Sequence, residues 1–293
     1  IDSLNTSNLA NDLKYNGMIF SGSYSKKSDK FKINANFSSA ISDNISGSSI
    51  DGSLGYNLNE DISFMGKISI SSHQPNYNFT LFKSKYISYN WENDFKNIEN
   101  RQFNLEFKSK KYFDLRLDFI DVKNLAYFTK DEFDAIKPFQ FSDNINVIKL
   151  RVSREFSVNK FFFDNEIQYQ KTSNANGILN VPELITRNSI YFGSHLLDKA
   201  LFLQTGFSIS YFSKYHMNSY DPLLSEFYVQ NSKKIGGFPL MDFFVNAKIQ
   251  QTRLYFKLEH FNSSFTGYNF YSAPNYPYRD FAFRFGLVWN FFL

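Results

Sequence analysis

The residues of this chain best suited to chemistry are four histidines, His73, His195, His216 and His260, and a large set of carboxylates and cations spaced singly along its length. The histidines are scattered. None has a second histidine four positions away with a glutamate between, the spacing that puts two imidazoles and a general base on one face of a zinc-binding helix. There is no Gly-x-Ser-x-Gly nucleophile elbow, and Gly236-Gly237 lacks the spacing of a phosphate-cradling loop and reads as a turn. His216 shares a loop-like stretch with Lys214, Asp221 and Glu226, but a catalytic site is made by mutual geometry and not by nearness in sequence. His260 has the parity of Leu254, Phe256 and Leu258 and is expected at a membrane interface. The absence of cysteine excludes disulfides and thiolate metal sites. The sequence therefore predicts no enzyme activity, no cofactor and no metal.

The charged residues make better sense as one face of many β-strands. From Lys30 to Asp43 the odd positions include Phe31, Ile33, Ala35, Phe37 and Ile41, and the even ones Lys32, Asn34, Asn36 and Ser38. Phe113, Leu115, Leu117 and Phe119 alternate in the same way with Asp114, Arg116 and Asp118, and Phe161, Phe163, Ile167 and Tyr169 with Asp164, Glu166, Gln168 and Gln170. A period of two belongs to strands, and helical spacing is absent from these segments. The 36 Phe and 19 Tyr residues suit pleated, half-buried surfaces. Mean hydropathy is −0.38, and no stretch approaches the roughly 20 apolar residues of a transmembrane helix. A barrel wall has that mildly polar average, because its strands alternate lipid-facing and lumen-facing residues. The net charge of +4 argues against a nucleic-acid partner. The pairs Lys26–Lys27, Lys110–Lys111 and Lys233–Lys234 read as solvated turn charges.

The pattern predicts an all-β fold: a transmembrane antiparallel up-and-down β-barrel of about fourteen strands (roughly 12–16), most with the ~9–11 residues needed to cross a bilayer at a tilt. They are expected near 15–24, 31–42, 45–56, 62–71, 77–91, 101–108, 112–121, 145–156, 160–170, 187–197, 200–212, 240–249, 253–261 and 281–293. Long connections at 122–144, 171–186, 213–239 and 262–280 alternate with short ones, as long extracellular loops alternate with short periplasmic turns. An even strand number would put both termini in the periplasm. The expected organisation is a periplasmic segment over 1–14 and one barrel domain over 15–293, in the bacterial outer membrane with its lipid as partner. A start at Ile1 without a charged-then-apolar leader is what a removed signal peptide, or a missing N-terminal part, would leave.

The last segment carries an unbroken apolar face, Phe281, Phe283, Phe285, Leu287, Trp289, Phe291 and Leu293, opposite Arg284, Gly286 and Asn290. In a soluble protein such an aromatic edge would invite aggregation. Phe285, Leu287, Trp289, Phe291 and Leu293 resemble the terminal signal read by outer-membrane assembly machinery, which is thereby an expected partner. Further stretches are distinctive: Asn180-Val-Pro-Glu-Leu-Ile-Thr-Arg-Asn188, Leu203-Gln-Thr-Gly206, Tyr211-Phe-Ser-Lys-Tyr215, Tyr220-Asp-Pro222, Glu226-Phe-Tyr-Val-Gln230, Ser272-Ala-Pro-Asn-Tyr-Pro-Tyr-Arg-Asp280 and Arg284-Phe-Gly-Leu-Val-Trp-Asn-Phe-Phe292. With Tyr86, Tyr89 and Trp91 they give residues 77–293 a sequence that resembles the Bacteroidota family of putative porins. The resemblance implies a barrel fold and an outer-membrane location more firmly than an activity.

If the apolar parity faces lipid, the lumen receives Lys32, Asn34, Asn36, Asp114, Arg116, Asp118, Lys149, Arg151, Glu155, Asp164, Glu166, Gln168, Asn246, Lys248, Lys257, Glu259, Arg284 and Asn290. Charges of both signs could neutralise each other in a plugged barrel, or line a hydrated pore that screens solutes by size and charge. Loop 213–239, with Tyr215, Tyr220, Leu223, Leu224, Phe227 and Tyr228, is too apolar to be simply dissolved in water and is expected to fold inward as a constriction or to dock a partner. Loop 262–280 is similarly aromatic. The expected function is a porin-like channel for passive diffusion of small hydrophilic solutes or ions. The alternative is an occluded barrel serving as accessory subunit among other outer-membrane proteins in secretion, uptake or assembly.

Overall fold

A computed structural model describes residues 9–10, 16–41, 46–86, 88–173, 175–265 and 270–291. The alternating segments form one antiparallel meander of thirteen wall strands, each hydrogen-bonded to its neighbours in sequence. They are β1 (Met18–Lys27), β2 (Phe31–Ile41), β3 (Gly47–Asn57), β4 (Ile62–His73), β5 (Ile98–Ser109), β6 (Asp114–Lys130), β7 (Ile136–Val158), β8 (Phe161–Ser173), β9 (Leu184–Leu196), β10 (Leu201–Phe212), β11 (Pro239–Ile249), β12 (Thr252–Glu259) and β13 (Ala282–Trp289). The short connections 28–30, 58–61, 110–113, 159–160, 197–200 and 250–251 share one end of the sheet. The tightest use left-handed residues such as Asn159 (φ 58°) and Gln250 (φ 50°), which let two antiparallel strands meet across two residues. Among the described residues no helix is long and apolar enough to cross a membrane.

Three expectations need correction. Segment 77–91 is not a wall strand: Asn76 caps a single helical turn, Tyr77–Thr80, and Leu81–Phe82 then pairs with Trp91–Glu92. Its alternating aromatics pack on protein, with Phe79 stacked on Phe128 at 4.6 Å and Phe82 on Trp91 at 5.0 Å. Stretch 122–144 is not a long loop. β6 and β7 run on through it to a turn at 131–135, crossing a register shift at Asn124 (φ 58°) where β7 advances one residue more than β6 without ending the ladder. Asp131 closes that turn by accepting from the amides of Phe133 and Ala135, both at 2.9 Å. Finally, thirteen is odd, so β1 starts at the long-loop end while β13 finishes at the short-turn end, and the expected even count does not hold for the described strands. The segment expected over 1–14 lies outside the described residues except Leu9 and Ala10, and the Ala10 amide donates to Glu92 (3.1 Å).

The sheet has no conventional core between its strands. Along its apolar face the side chains are open, with Phe119 41 %, Phe207 53 % and Phe285 77 % exposed. Such a band is stable against lipid and unstable against water. β1 and β13 are each paired on one side only, and no ladder joins them among the described residues.

Candidate functional site

The registers place the expected lumenal residues on a single face. Asn34 lies opposite Ser53, Ser53 opposite Lys67, Lys67 opposite Asn104, Asn104 opposite Asp118, and Asp118 opposite Lys149. The same face continues through Arg151 and Gln168, Glu155 and Asp164, Gln204 and Asn246, and Lys257 and Arg284. Lys32, Asn36, Asp114, Glu166, Lys248 and Glu259 share it by parity, while Asn290 lies just past β13. Position thus follows directly from period two.

Two networks gather on this face. In the first, Glu106 accepts from Lys67 at 2.9 Å and lies 3.8 Å from Arg116, which holds Asp118 at 3.1 Å; Asn104 donates to Asp118 at 2.6 Å. In the second, Lys257 reaches Asp242 (2.9 Å) and Glu259 (3.2 Å), and Arg284 reaches Glu259 at 2.8 Å. Between them stand the pair Arg151–Glu166 and the bond from the Tyr191 hydroxyl to Glu155 (2.8 Å). Lys149 and Lys248 have no ion-pair partner among the described residues. Half-exposed pairs of this kind add roughly 0–1 kcal/mol each to stability. Their main physical effect is a fixed pattern of field along the face.

Sequence reasoning missed Lys67, Asn104, Glu106, Asp242 and Tyr191. Asp242 and Glu106 were legible from the parity of their strands. Tyr191 was not: it is an aromatic residue on the polar face, its ring stacked on Phe162 at 5.0 Å, and its backbone lies so close to Gly206 on the next strand that any Cβ there would collide with it and the Ile190 carbonyl.

Towards the long-loop end the same face changes character. On β6 the even positions run Asp114, Arg116, Asp118, then Ile120, Val122, Asn124, Ala126 and Phe128. This apolar upper part is the seat of the loops. Loop 213–238 is closed at its neck by reciprocal backbone bonds between Tyr215 and Ile235, and it carries a small hairpin, Ser219–Asp221 with Glu226–Val229. Asp221 shapes the turn by accepting from the amides of Leu223 and Leu224, both at 2.9 Å. The second hairpin arm pairs in parallel with the outer end of β6, Tyr228 opposite Phe128 and Val229 opposite Thr129.

Leu224, Trp91, Phe128 and Ile136 form a buried cluster, with Phe79, Phe82, Tyr89 and Tyr228 packed around it. Burying each large apolar side chain contributes roughly 1.5–3 kcal/mol, so this contact anchors the loop. Loop 74–97 is held to the same assembly by Asn78 donating to Glu226 (2.7 Å) and by Tyr89 donating its hydroxyl to Asp221 (2.9 Å). Burial, then the bond to Asp221, pushes the Tyr89 phenol up to about 12. Burial also raises the Tyr215 phenol. The remaining loops join through Asn180 to Asn231 (2.8 Å), Lys233 to Asn275 (2.9 Å) and Tyr220 edge-on to Tyr276. Of the expected loop residues, Leu224 is buried, Tyr215, Tyr220 and Tyr228 are half-buried, and Leu223 and Phe227 stay exposed.

The histidines do not assemble. Asp221 and Glu226 are engaged by Tyr89 and Asn78 rather than gathered at His216. His260 departs from the expected lipid interface: it is 2 % exposed under residues 270–279, with Nδ1 donating to the Arg279 carbonyl at 2.7 Å and Phe270 and Tyr278 edge-on to its ring. Positive φ at His260 turns the chain out of β12, so strand parity no longer predicts where its ring goes. Among the described residues no group of three or more acidic, His or Cys side chains could hold a metal ion. At the other end of the chain Phe285, Leu287, Trp289 and Phe291 are all exposed on the last strand and its exit, and Leu293 lies outside the described residues.

Against solved structures, the ferric enterobactin receptor PfeA of Pseudomonas aeruginosa aligns with a TM-score of 0.64 at 14% identity, covering 96% of this chain and 47% of that one. The siderophore receptor PirA of Acinetobacter baumannii aligns with a TM-score of 0.60 at 12% identity, covering 92% of this chain and 45% of that one. The chain therefore spans less than half the length of these structures, and the likeness is one of fold. No curated protein matches. The family described as "Putative porin" matches residues 2–293, a wider span than the C-terminal stretches that first suggested it. With its antiparallel wall, its lipid-suited outer face and this match over nearly its whole length, the chain belongs to the putative porin family of channel-like outer-membrane barrels.

Proposed function

We propose that this chain builds the wall of an outer-membrane pore for passive diffusion of small hydrophilic solutes or ions, with loop 213–238 as its constriction. One observation carries the reading: the ladder of Tyr228 and Val229 on Phe128 and Thr129. The loop leaves β10 and returns to β11, yet its tip bonds β6, four strands away, a span of about 19 Å at ~4.8 Å per strand. Its Leu224 packs on Phe128, which has the strand parity of Asp118, and this supports a course on the polar-face side, a chord across the mouth of a closed ring. Below it, the two charge networks would sort solutes by sign as well as size. Deleting residues 216–234 is expected to raise single-channel conductance in planar bilayers. Unchanged conductance would reject the constriction, and liposomes that fail to swell with small sugars would reject the pore.

A second reading rests on exposed apolar loop tips, Phe133 at 87 %, Phe265 at 71 % and Leu223 at 53 %. They suit an occluded barrel docked to other outer-membrane proteins, which would exclude sugars and co-purify with its partner. The exposed C-terminal aromatics suit recognition by the assembly machinery; their replacement by serine would leave the chain unassembled.

A further inference from the structure

The two outer strands of the wall pose a physical problem. Among the described residues β1 bonds only to β2 and β13 only to β12, so each presents a row of amides and carbonyls to its other side that no described strand pairs with. Both edges are flanked by side chains made for lipid, including Met18, Phe20, Phe283, Phe285 and Leu287. Hydrocarbon offers an unpaired backbone group no hydrogen-bond partner, and for this reason open sheet edges do not face lipid. Something must cover these edges.

Strand direction narrows what it can be. Every wall pairing is antiparallel and the strands number thirteen, so β1 and β13 run the same way. Closing the sheet on itself would create a parallel seam. A ring of two copies about a common pore axis would create two such seams, because β13 of one copy would meet β1 of the other in the same direction. An inserted run of strands pairs antiparallel with both edges only if its number is odd. Width points the same way: the wall superimposes over nearly its full length on less than half of the enterobactin receptor. Its curvature is thus that of an arc of a wider ring. Outer-membrane transporters carry about 22 strands, which would leave about nine to be added, an odd number.

We infer that the β1 and β13 edges are interfaces for one further run of amphipathic transmembrane strands, odd in number and about nine if the ring has the ~22 strands of a transporter. The inference rests on the pore reading and deepens it, since a ring of that width needs the loops over its mouth to be selective.

The chain has no cysteine to crosslink, so photo-crosslinking amino acids placed at Ser23 on β1 and, separately, at Val288 on β13 would report each edge in native outer membranes. Adducts from both positions are expected on alternating polar and apolar segments that lie outside residues 18–289, with no adduct between the two edges. Capture of 282–289 by the Ser23 probe within one chain would establish self-closure and overturn the inference. The same capture with doubled mass would establish a ring of two copies and overturn it equally, and no capture at either edge would mean that lipid covers them and would overturn it as well. Conductance measured on the same membranes separates the two readings: a conducting pore with β1 crosslinked to β13 sinks the completion and leaves the pore, whereas adducts to further strands without conductance do the reverse.

Discussion

The wall and the loop assembly above it are built to opposite rules. In the wall, large apolar side chains point outward and remain open, and charged groups share the inner face. In the assembly, Phe128 and Ile145 are almost fully enclosed, and buried polar groups such as Asp221 and His260 are held by hydrogen bonds, as in an ordinary water-soluble domain. One chain therefore answers to two solvents, and the change occurs along a single strand, between Asp118 and Ile120 on β6. Hydrophobicity alone does not tell the regions apart. What differs is whether the apolar residues recur on one parity over a membrane-spanning length or collect around a few loop contacts.

The sharpest way to break this contrast is Phe128→Ala. Truncating a buried Phe costs about 3–5 kcal/mol, and here the loss falls on loop docking rather than on the wall. Protease cleavage within 213–238 is expected to rise steeply while the barrel keeps its heat-resistant migration on gels; loss of both together would show that the regions are not independent. Next in size is a test of the wall itself. Phe119→Arg puts a charge on the lipid side and is expected to cost about 2–4 kcal/mol near the bilayer centre, whereas Gln168→Arg, on the other face, is expected to be nearly neutral. Folding into lipid vesicles, followed by urea titration, reads both; equal effects would invert or abolish the assignment of faces.

A smaller effect comes from Tyr89. Its phenol titrates near 10 when free and at about 12 when docked, so the neutral form is the docked one. The contribution to docking is complete below about pH 10 and is lost as pH climbs through about 12. Phenolate absorbance at high pH, compared with Tyr89→Phe, should show one residue titrating late. If the difference spectrum has an ordinary midpoint, Tyr89 is not buried in the assembly.

The wall was legible in the sequence wherever period two ran unbroken, and with it the face taken by every expected lumenal residue on a strand. Legibility failed where the partner of an aromatic residue was protein instead of lipid. Tyr77, Phe79 and Leu81 alternate as a strand would, but Phe79 belongs to Phe128, nearly fifty residues on. It failed again above Asp118, where Ile120 and Val122 take the face that was polar and Asp121 and Lys123 the face that was apolar, which hides the continuation of β6 and β7. The seat of loop 213–238 was equally hidden, because Tyr228 meets Phe128 only through the curvature of the intervening strands. Composition pointed to a loop that packs on protein rather than dissolving in water, but its landing point on β6 was not foreseeable.

β7 has 23 residues, a contour of about 76 Å at ~3.3 Å per residue. Tilted by ~40°, it would rise through about 58 Å, some twice the height of a ~25 Å apolar band. Much of the β6–β7 hairpin must then stand clear of the bilayer as a mast, with Phe133 at its tip. With Phe133 87 % exposed there, the tip is a natural place to insert a short peptide label, whose reactivity on intact cells would report which side of the membrane the long-loop end occupies.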